Sequence, residues 1–298
     1  ILGVSACGKE KGQTQETAQA PSEGIVQDAI QNTPPRVEDA LAVPKDADGM
    51  PESVMDVICA ACGIAAMPDG SLLVTDTYSK VVWRVLPHNG VSEIYAGGET
   101  VNDLYGEPVG GYNDANLEKS FFQCPWAIVP FLDGWAVSDA DNNAVRLITK
   151  DKVQTVNGKT TEKLTVSDLG VVFEHPTGLA ADGKGNLSVS DTHKGAIRKV
   201  TSDGKVSTVK DGLEEPTGLC WKDGALYVAE TGANRVIRIK DGRTELVAGC
   251  SESGYLDGTA AESAFNYPQG VAVADDGTVY VADTGNSAVR VVKDGNVE

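Results

Sequence analysis

Histidine is the scarcest side chain of the acid–base type in this sequence, and two of its three copies stand close together. His175 precedes Pro176, and His193 follows Asp191 by two positions. An imidazole titrates near neutral pH, so two of them beside a carboxylate could supply a general base and an electrophile, or two ligands for a divalent metal. An ordinary zinc site would need more nitrogen and sulfur ligands than this region offers. Isolated loop histidines also commonly have no chemical role.

Short catalytic motifs give no further support to an enzyme. The chain has no Gly-x-Ser-x-Gly elbow, no His-Glu-x-x-His helix and no phosphate-binding loop. Only the familiar hydrolase and nucleotide-binding designs are excluded by that absence.

The charge balance argues against two classes of partner. Lys and Arg number 25 and Asp and Glu number 43, which gives a net charge of −18. A surface this acidic repels phosphate backbones, so no nucleic acid partner is predicted, and no polybasic docking to anionic lipid. Clustered carboxylates would instead suit a divalent cation such as calcium.

The N-terminal region indicates export and a tether. Val4-Ser5-Ala6-Cys7 resembles a bacterial lipobox, in which the Cys7 thiol takes the lipid; the alternative is a clipped secretory segment with an incidental cysteine. Residues 8–50 are rich in Gln, Glu, Thr, Ser, Pro and Ala, and they cannot bury enough apolar surface to offset the entropy of ordering. We therefore predict a lipidated flexible tether at 1–50 and a folded unit at 51–298, outside a bacterial cytoplasm and held to the membrane only by the lipid.

One phrase that recurs five times determines the fold prediction. It has the form Val-Ala-Asp-Thr, and its acids are Asp76, Asp139, Asp191, Glu230 and Asp283. An arginine follows each acid by seven or eight positions, and a Pro-x-Gly phrase precedes several of them. Units of about 40 residues that alternate apolar and polar residues between Gly-containing turns are typical of four-stranded propeller blades.

These phrases resemble NHL repeats. The Pro-x-Gly phrase, the Tyr-Val-Ala-Asp-Thr phrase with its following Asn and Arg, and an Ala-Gly…Gly-Tyr-x-Asp…Phe-x-x-Pro connector occur in that order between about residue 53 and residue 298. The resemblance implies an all-β propeller with five recognisable four-stranded blades in a five- or six-bladed ring. Some NHL-like enzymes, the peptidylglycine-amidating and virginiamycin B lyases, use His and acidic groups with a divalent metal near the axis. His175, His193 and Asp191 are the matching candidates here.

A duplicated connector supports this interpretation. Residues 111–126 and 254–269 share Gly, Tyr, Asp, Ser, Phe and Pro at equivalent places. We interpret both as the passage from the outermost strand of one blade to the innermost strand of the next. Phe122 and Phe265 are predicted to fill the wedge between the two blades.

The repeated charged residues are expected to be architectural. Each acid should bond turn amides, and each arginine should pair with an acid of a neighbouring blade. The alternative is a ring of carboxylates at the axial mouth that holds calcium. Residues 56–60 could form a strand that closes the ring, and a disulfide is expected among Cys59, Cys62 and Cys124 because the protein is predicted to be exported.

Two aromatic residues on the connectors suggest a binding role. Tyr105 lies in an insertion, and Trp126 stands where other units have Thr or Gln. Tyr and Trp on the loops of a rigid scaffold are common contact residues. The favoured function is therefore non-catalytic recognition of a protein, peptide or glycan. The alternatives are a metal-dependent lyase or hydrolase at the axial mouth, and a purely structural spacer.

Overall fold

The chain folds into a five-bladed β-propeller, which confirms the predicted fold class. The structure, a computed structural model, describes residues 3–4, 58–86, 92–98, 101–156 and 173–298. Cys7 and the predicted tether lie outside the described residues. Within the described ranges, no helix has the length and apolar character to cross a bilayer.

Each blade is an antiparallel sheet whose four strands follow the chain order from the axis outwards. The first blade comprises Ala61–Ala66, Leu72–Asp76, Val81–Val85 and Ser92–Ala96, and the second Pro125–Phe131, Gly134–Asp139, Ala144–Ile148 and Lys152–Val156. The third comprises Pro176–Ala181, Asn186–Asp191, Ala196–Thr201 and Val206–Lys210, and the fourth Pro216–Lys222, Ala225–Glu230, Arg235–Lys240 and Arg243–Ala248. The fifth comprises Pro268–Val273, Val279–Asp283, Ala288–Lys293 and Asn296–Val297.

Short elements complete the sheets. Ala115–Asn116 and Gly258–Thr259 add a fifth strand to the outer edges of the second and fifth blades, and Gly3–Val4 pairs in parallel with the innermost strand of the first. Within the described ranges, the connections hold a small hairpin, Val101–Asn102 with Pro108–Val109, and four 3₁₀ turns: Leu117–Lys119, Ala140–Asn142, Thr192–Lys194 and Thr284–Asn286.

The glycine of the Pro-x-Gly phrase allows neighbouring blades to approach closely at the axis. A Cβ atom at Gly178 would lie 1.8 Å from the carbonyl oxygen of Thr217, and one at Gly218 would lie 2.5 Å from that of Gln269. Neither distance leaves room for a side chain. The innermost strands therefore pack backbone against backbone, and only glycine fits at these crossings.

Hydroxyl groups join consecutive blades at the same level. Thr75 Oγ1 donates to the carbonyl oxygen of Trp126 at 2.7 Å, and Ser190 Oγ donates to that of Thr217 at 2.7 Å. Each hydroxyl belongs to the residue before the repeated acid. These bonds satisfy carbonyl oxygens that the innermost strand of the next blade would otherwise leave unpaired near the axis.

Large apolar side chains fill the wedges between blades, as predicted for Phe122 and Phe265. Both are fully buried, and each packs between residues of two consecutive blades. Phe173, Leu213 and Ile58 occupy the equivalent place before the third, fourth and first blades and are also buried.

The position of Ile58 corrects the prediction of a closing strand. Residues 58–60 form a bend rather than a strand, and residues 56–57 lie outside the described ranges. The backbone N–H groups of Cys59 and Ala60 both donate to the Asp76 carboxylate, at 2.9 and 3.1 Å. This is the geometry found before the other innermost strands, so the segment begins the first blade instead of completing the last.

The repeated acids bond turn amides, as expected. All five are fully buried, and each accepts a backbone N–H from the segment that precedes the innermost strand of its own blade. In the second blade, for example, Asp139 Oδ1 accepts from the N–H groups of Gln123 and Cys124, both at 2.9 Å.

The prediction that the repeated arginines pair between blades is wrong. Arg146 contacts Asp139 at 3.0 Å and Arg198 contacts Asp191 at 2.8 Å, in each case inside one blade. The acid ends the second strand and the arginine lies on the third, which is hydrogen-bonded to it. An arginine seven positions after the acid therefore points to the same face of the same sheet.

Where the spacing is eight, the arginine points to the other face, because side chains alternate along a strand. Arg84 binds Asp69 and Glu93, and Arg238 binds Glu245, all near the surface. Other side chains then serve the buried acids of these blades. Trp83 Nε1 donates to Asp76 at 3.2 Å, and Arg235 Nε donates to Glu230 at 2.7 Å.

Candidate functional site

The structure brings His175 and His193 together at the rim of the third blade. His175 lies in the segment before Pro176, and His193 lies in the 3₁₀ turn between the second and third strands. Their rings are stacked, with centroids 4.3 Å apart and planes inclined by 8°. His175 is half-buried beneath the exposed ring of His193.

Two residues of the second blade complete this cluster. The Trp126 ring meets His175 edge to face, with centroids 6.3 Å apart and an interplanar angle of 65°. Asp141 Oδ1 lies 3.4 Å from Nδ1 of His175. We call Trp126, Asp141, His175 and His193 the Trp–His site. It joins two residues that the sequence suggested for catalysis with one that it suggested for ligand binding.

The backbone that presents the histidines is a repeated feature of the propeller. His175 has a left-handed backbone conformation with φ of +52°, as do Glu215 and Tyr267 at the same place in the next two blades. The N–H of His175 donates to Asn143 Oδ1 at 2.8 Å, and the N–H of His193 donates to the carbonyl oxygen of Glu174 at 3.1 Å. These bonds therefore hold the backbone from which both imidazoles project.

The environment favours the neutral form of His175. Burial lowers the pKa of His175 below its ordinary value, and the neighbouring His193 acts in the same direction, while Asp141 acts against both. A neutral His175 avoids the repulsion that two charged rings would have at this distance.

The third residue of the proposed catalytic set, Asp191, has a different environment. It is fully buried; Oδ1 accepts the N–H of Glu174 at 2.6 Å, and Oδ2 accepts Nε of Arg198 at 2.8 Å. The carboxylate that meets an imidazole is Asp141, which sequence reasoning did not identify. The repeat did contain an indication: Asp141 stands two positions after Asp139, just as His193 stands two positions after Asp191.

Tyr105 stands on the hairpin Val101–Asn102/Pro108–Val109 of the first connector. Its side chain is 90% exposed next to a fully exposed Leu104. The N–H of Tyr105 donates to Asp103 Oδ1 at 2.8 Å, which shapes the turn at the tip. No contact among the described residues joins it to Trp126, so the two aromatic residues predicted to bind ligand occupy separate places.

The axial mouth beside Trp126 is narrow. A cavity of about 50 Å³ lies between the innermost strands, with Cys62, Trp126, Thr217 and Gln269 among its lining residues. That volume suits a few water molecules rather than an organic substrate. Any larger ligand would rest on the face around the mouth.

The side chains of the described residues do not fit a metal ion well. No group of three or more His, Cys, Asp or Glu side chains in the described ranges is arranged to hold one. The repeated acids are used by amides, Trp83 or arginines inside their own blades. A calcium ring at the mouth would therefore have to draw its ligands from elsewhere.

Cys62 and Cys124, two of the three cysteines expected to share a disulfide, are thiols in this structure. Cys62 Sγ lies 3.6 Å from Thr77 Oγ1, and burial raises the pKa of Cys124 to about 12. A buried thiol with so high a pKa is unreactive at neutral pH.

Comparison with known proteins agrees with the repeat architecture. Residues 265–292 match the NHL repeat family. Over 68 residues the chain is 41% identical to NHL repeat-containing protein 2 of Gallus gallus, which covers 22% of this chain. It is also 24% identical over 279 residues to Teneurin-3 of Mus musculus, which covers 75% of this chain. The chain spans about a tenth of the length of either relative, 9% and 10% respectively.

Solved structures share the fold at low sequence identity. An auxiliary nutrient binding protein from Bacteroides ovatus aligns with a TM-score of 0.57 and 14% identity, over 80% of this chain and 56% of its own. A virginiamycin B lyase from Staphylococcus aureus aligns with a TM-score of 0.51 and 13% identity, over 80% and 83%. At these identities the likeness shows the propeller fold alone, which serves binding in one protein and catalysis in the other.

Proposed function

We propose that this propeller is a non-catalytic recognition module for a protein, peptide or glycan, and that the Trp–His site is the centre of its binding surface. The observation that carries the proposal is the convergence of rings from two blades beside the axial mouth: Trp126 and His175 edge to face, and His193 stacked on His175. Aromatic rings held on a rigid scaffold give contact area at little cost in conformational entropy.

The shape of the surface supports recognition rather than turnover. The cavity beside Trp126 measures about 50 Å³, so a ligand would contact the face of the propeller and would not be enclosed. Active sites commonly exclude water and small-molecule sites are concave, whereas protein and peptide partners are bound over exposed surface. Tyr105, on its exposed hairpin, would supply a second and peripheral contact.

A binding assay on arrays of proteins, peptides and glycans tests this function. We expect Trp126→Ala to abolish or reduce at least about tenfold the binding of any ligand that the wild type retains. Tyr280→Ala is the matched control, because Tyr280 is an exposed aromatic on the second strand of the fifth blade. Equal binding by wild type and Trp126→Ala would refute the site, and no binding to any array would refute the function.

Display outside the cytoplasm on a lipidated tether is part of the same proposal. It rests on the lipobox-like Val4-Ser5-Ala6-Cys7 and the composition of residues 8–50. Cys7→Ser in the complete precursor should move the protein from the membrane fraction to the soluble fraction. Unchanged membrane association would contradict the lipid anchor and leave the binding assay unaffected.

The metal-dependent lyase or hydrolase is the second candidate: His175 beside Asp141 favours it as a source of the base, and its metal would need ligands beyond this cluster, since no three such side chains in the described ranges are arranged to hold one. His175 is kept neutral by its surroundings and could accept a proton. Elemental mass spectrometry before and after chelation separates the two functions. A stoichiometric divalent ion that is lost together with thermal stability, and whose loss is reproduced in His175→Ala, would support the lyase over the recognition module.

A further inference from the structure

We propose that the ligand of the Trp–His site is a peptide that presents a planar cation, a guanidinium group above all. The inference rests on the proposed recognition function and specifies its ligand class. The cation would lie on the exposed ring of His193, near Trp126, and pair with the Asp141 carboxylate. Three observations support it: the aromatic faces, the unbalanced carboxylates beside them and the charge of the whole protein.

The rings present π surfaces to the solvent. One face of His193 is covered by His175, so the opposite face remains available on an exposed residue. Trp126 is partly exposed between this stack and the axial mouth. Guanidinium groups stack on aromatic faces and are attracted by the negative face of the ring.

Asp141 is a carboxylate without a permanent cation. Its side chain is 51% exposed, and its one ion-pair contact within the described ranges is His175, whose pKa is lowered. Elsewhere in the second blade, Asp114 and Asp139 share Arg146. Asp141 therefore offers the negative half of an ion pair beside the imidazoles, and a cationic ligand would supply the positive half.

Glu174 is a further acidic residue next to His175 in sequence, and its carbonyl oxygen accepts the N–H of His193 at 3.1 Å. Its side chain is exposed and makes no ion pair with the residues that the structure describes. Lys194, beside His193, is the basic residue of the same turn and opposes a cation. The net charge of −18 attracts cationic ligands over a longer range. A neutral glycan would use the rings and would donate hydroxyl hydrogen bonds to the carboxylates, but it would not gain from the charge attraction.

Nuclear magnetic resonance on the full chain can test the ligand class, because the protein has only three histidines. The probes are N-acetyl-arginine methylamide, its uncharged citrulline counterpart and methyl glucoside, and the signals are the imidazole Cε1–H resonances. His88→Ala and His193→Gln variants assign the spectrum. We expect the arginine probe to shift the His175 and His193 signals and to bind at least about threefold more tightly than the citrulline probe.

Charge variants sharpen the test. Asp141→Asn should weaken the arginine probe about two- to fivefold and leave the citrulline probe unchanged. Asp133→Asn removes the same charge at the opposite end of the same blade, in the turn between Pro125–Phe131 and Gly134–Asp139, and should change neither. Lys194→Ala should strengthen the arginine probe by about twofold.

The outcomes distinguish the ligand class from the function itself. Equal binding of the arginine and citrulline probes would overturn the cation class. Shifts with the glucoside alone would also overturn it while supporting recognition of a glycan. If no probe moves the His175 and His193 signals, the cation class is wrong; if the arrays also show no binding that depends on Trp126, the recognition function fails as well.

Discussion

The second and fifth blades differ from the third in what covers the acid–arginine pair. In the second blade, Asn142 Nδ2 donates to Gly111 O at 2.8 Å and to Asp139 Oδ2 at 2.7 Å, which holds the connector over the pair. Asn286 does the same in the fifth blade, with Gly254 and Asp283, both at 2.8 Å. The third blade has Lys194 at this position, in the same 3₁₀ turn as His193.

Under the connectors, the arginine is enclosed. Arg146 binds Asp139, Asp114 and the carbonyl oxygens of Asn113 and Phe121, at 2.6 to 3.0 Å. The Arg146 guanidinium lies 4.8 Å from the ring centroid of Tyr112 and 5.2 Å from that of Phe122. The Arg290 guanidinium lies 4.4 Å from the ring centroid of Tyr255 and 5.4 Å from that of Phe265. Side-chain exposure is 0% for Arg146, 1% for Arg290 and 22% for Arg198.

The difference distinguishes the positions of the repeat that build the propeller from the positions that form the Trp–His site. Positions that hold the same residue type in several blades build the frame: the repeated acids bond inside their own blade, and the hydroxyls that precede them bond to the next blade. Positions that vary supply the Trp–His site: Trp126 after the proline, His175 before it, and Asp141 and His193 two places after the acid. Because adjacent blades bring these positions together at one mouth, four unrelated substitutions in a repeated frame can create one site.

The largest expected effect is on the covered arginine. Arg146→Met leaves two carboxylates without their cation, one of them fully buried, and should reduce the free energy of unfolding by about 3–5 kcal/mol. Arg198→Met, which removes two bonds at a more exposed side chain, should cost about 1.5–3 kcal/mol. Arg238→Met, near the surface, should cost less than about 1 kcal/mol.

Urea unfolding of the three variants measures this order. Arg290→Met serves as the internal replicate, because its contacts repeat those of Arg146. Similar losses for Arg146→Met and Arg238→Met would show that the connectors do not enclose a structural ion pair, and the comparison between blades would fail.

A smaller effect distinguishes the two copies of the connector. The Tyr112 hydroxyl donates to Thr155 Oγ1 at 2.7 Å, whereas the contact of Tyr255 with the described residues is its ring over Arg290, with no hydroxyl hydrogen bond to them. Tyr112→Phe should therefore cost about 0.5–1 kcal/mol and Tyr255→Phe close to nothing, since both variants keep the ring over the guanidinium. Thermal unfolding of both variants checks this, and equal losses would assign the stability to the ring alone.

Much of this fold was predictable because the repeat is recognisable from recurring phrases in the sequence. The spacing of the acids predicted five four-stranded blades, and the duplicated connector predicted where Phe122 and Phe265 would lie. The arginine partners were mispredicted at both spacings, because the contact depends on how the second and third strands pair within one blade, and the spacing of the repeat does not state that register. The change from seven to eight residues after the acid determines only which face of the strand the arginine occupies.

The site was predictable only in part, for a related reason. Placement of His175 and His193 on one rim follows from their positions within a single unit. The contacts with Trp126 and Asp141 depend on how the second blade packs against the third, which is set by bonds such as that from Ser138 Oγ to Thr177 O. Those constraints became visible only with the blades assembled.

The smallest expected effect is on proton binding at the third blade. The pKa of His175 should lie below the usual 6.5, because burial and His193 disfavour the charged ring. Asp141→Asn removes the one group that opposes them and should lower the pKa of His175 further, whereas His193→Gln should raise it.

Since the unfolded chain binds this proton at higher pH than the native chain, the stability that the neutral ring contributes is present above pH 6.5 and declines as the pH falls below it. A nuclear magnetic resonance titration of the imidazole signals from about pH 5 to pH 8 measures each shift. A higher pKa of His175 in Asp141→Asn would mean that Asp141 does not pair with the ring, and the Trp–His site would lose its carboxylate.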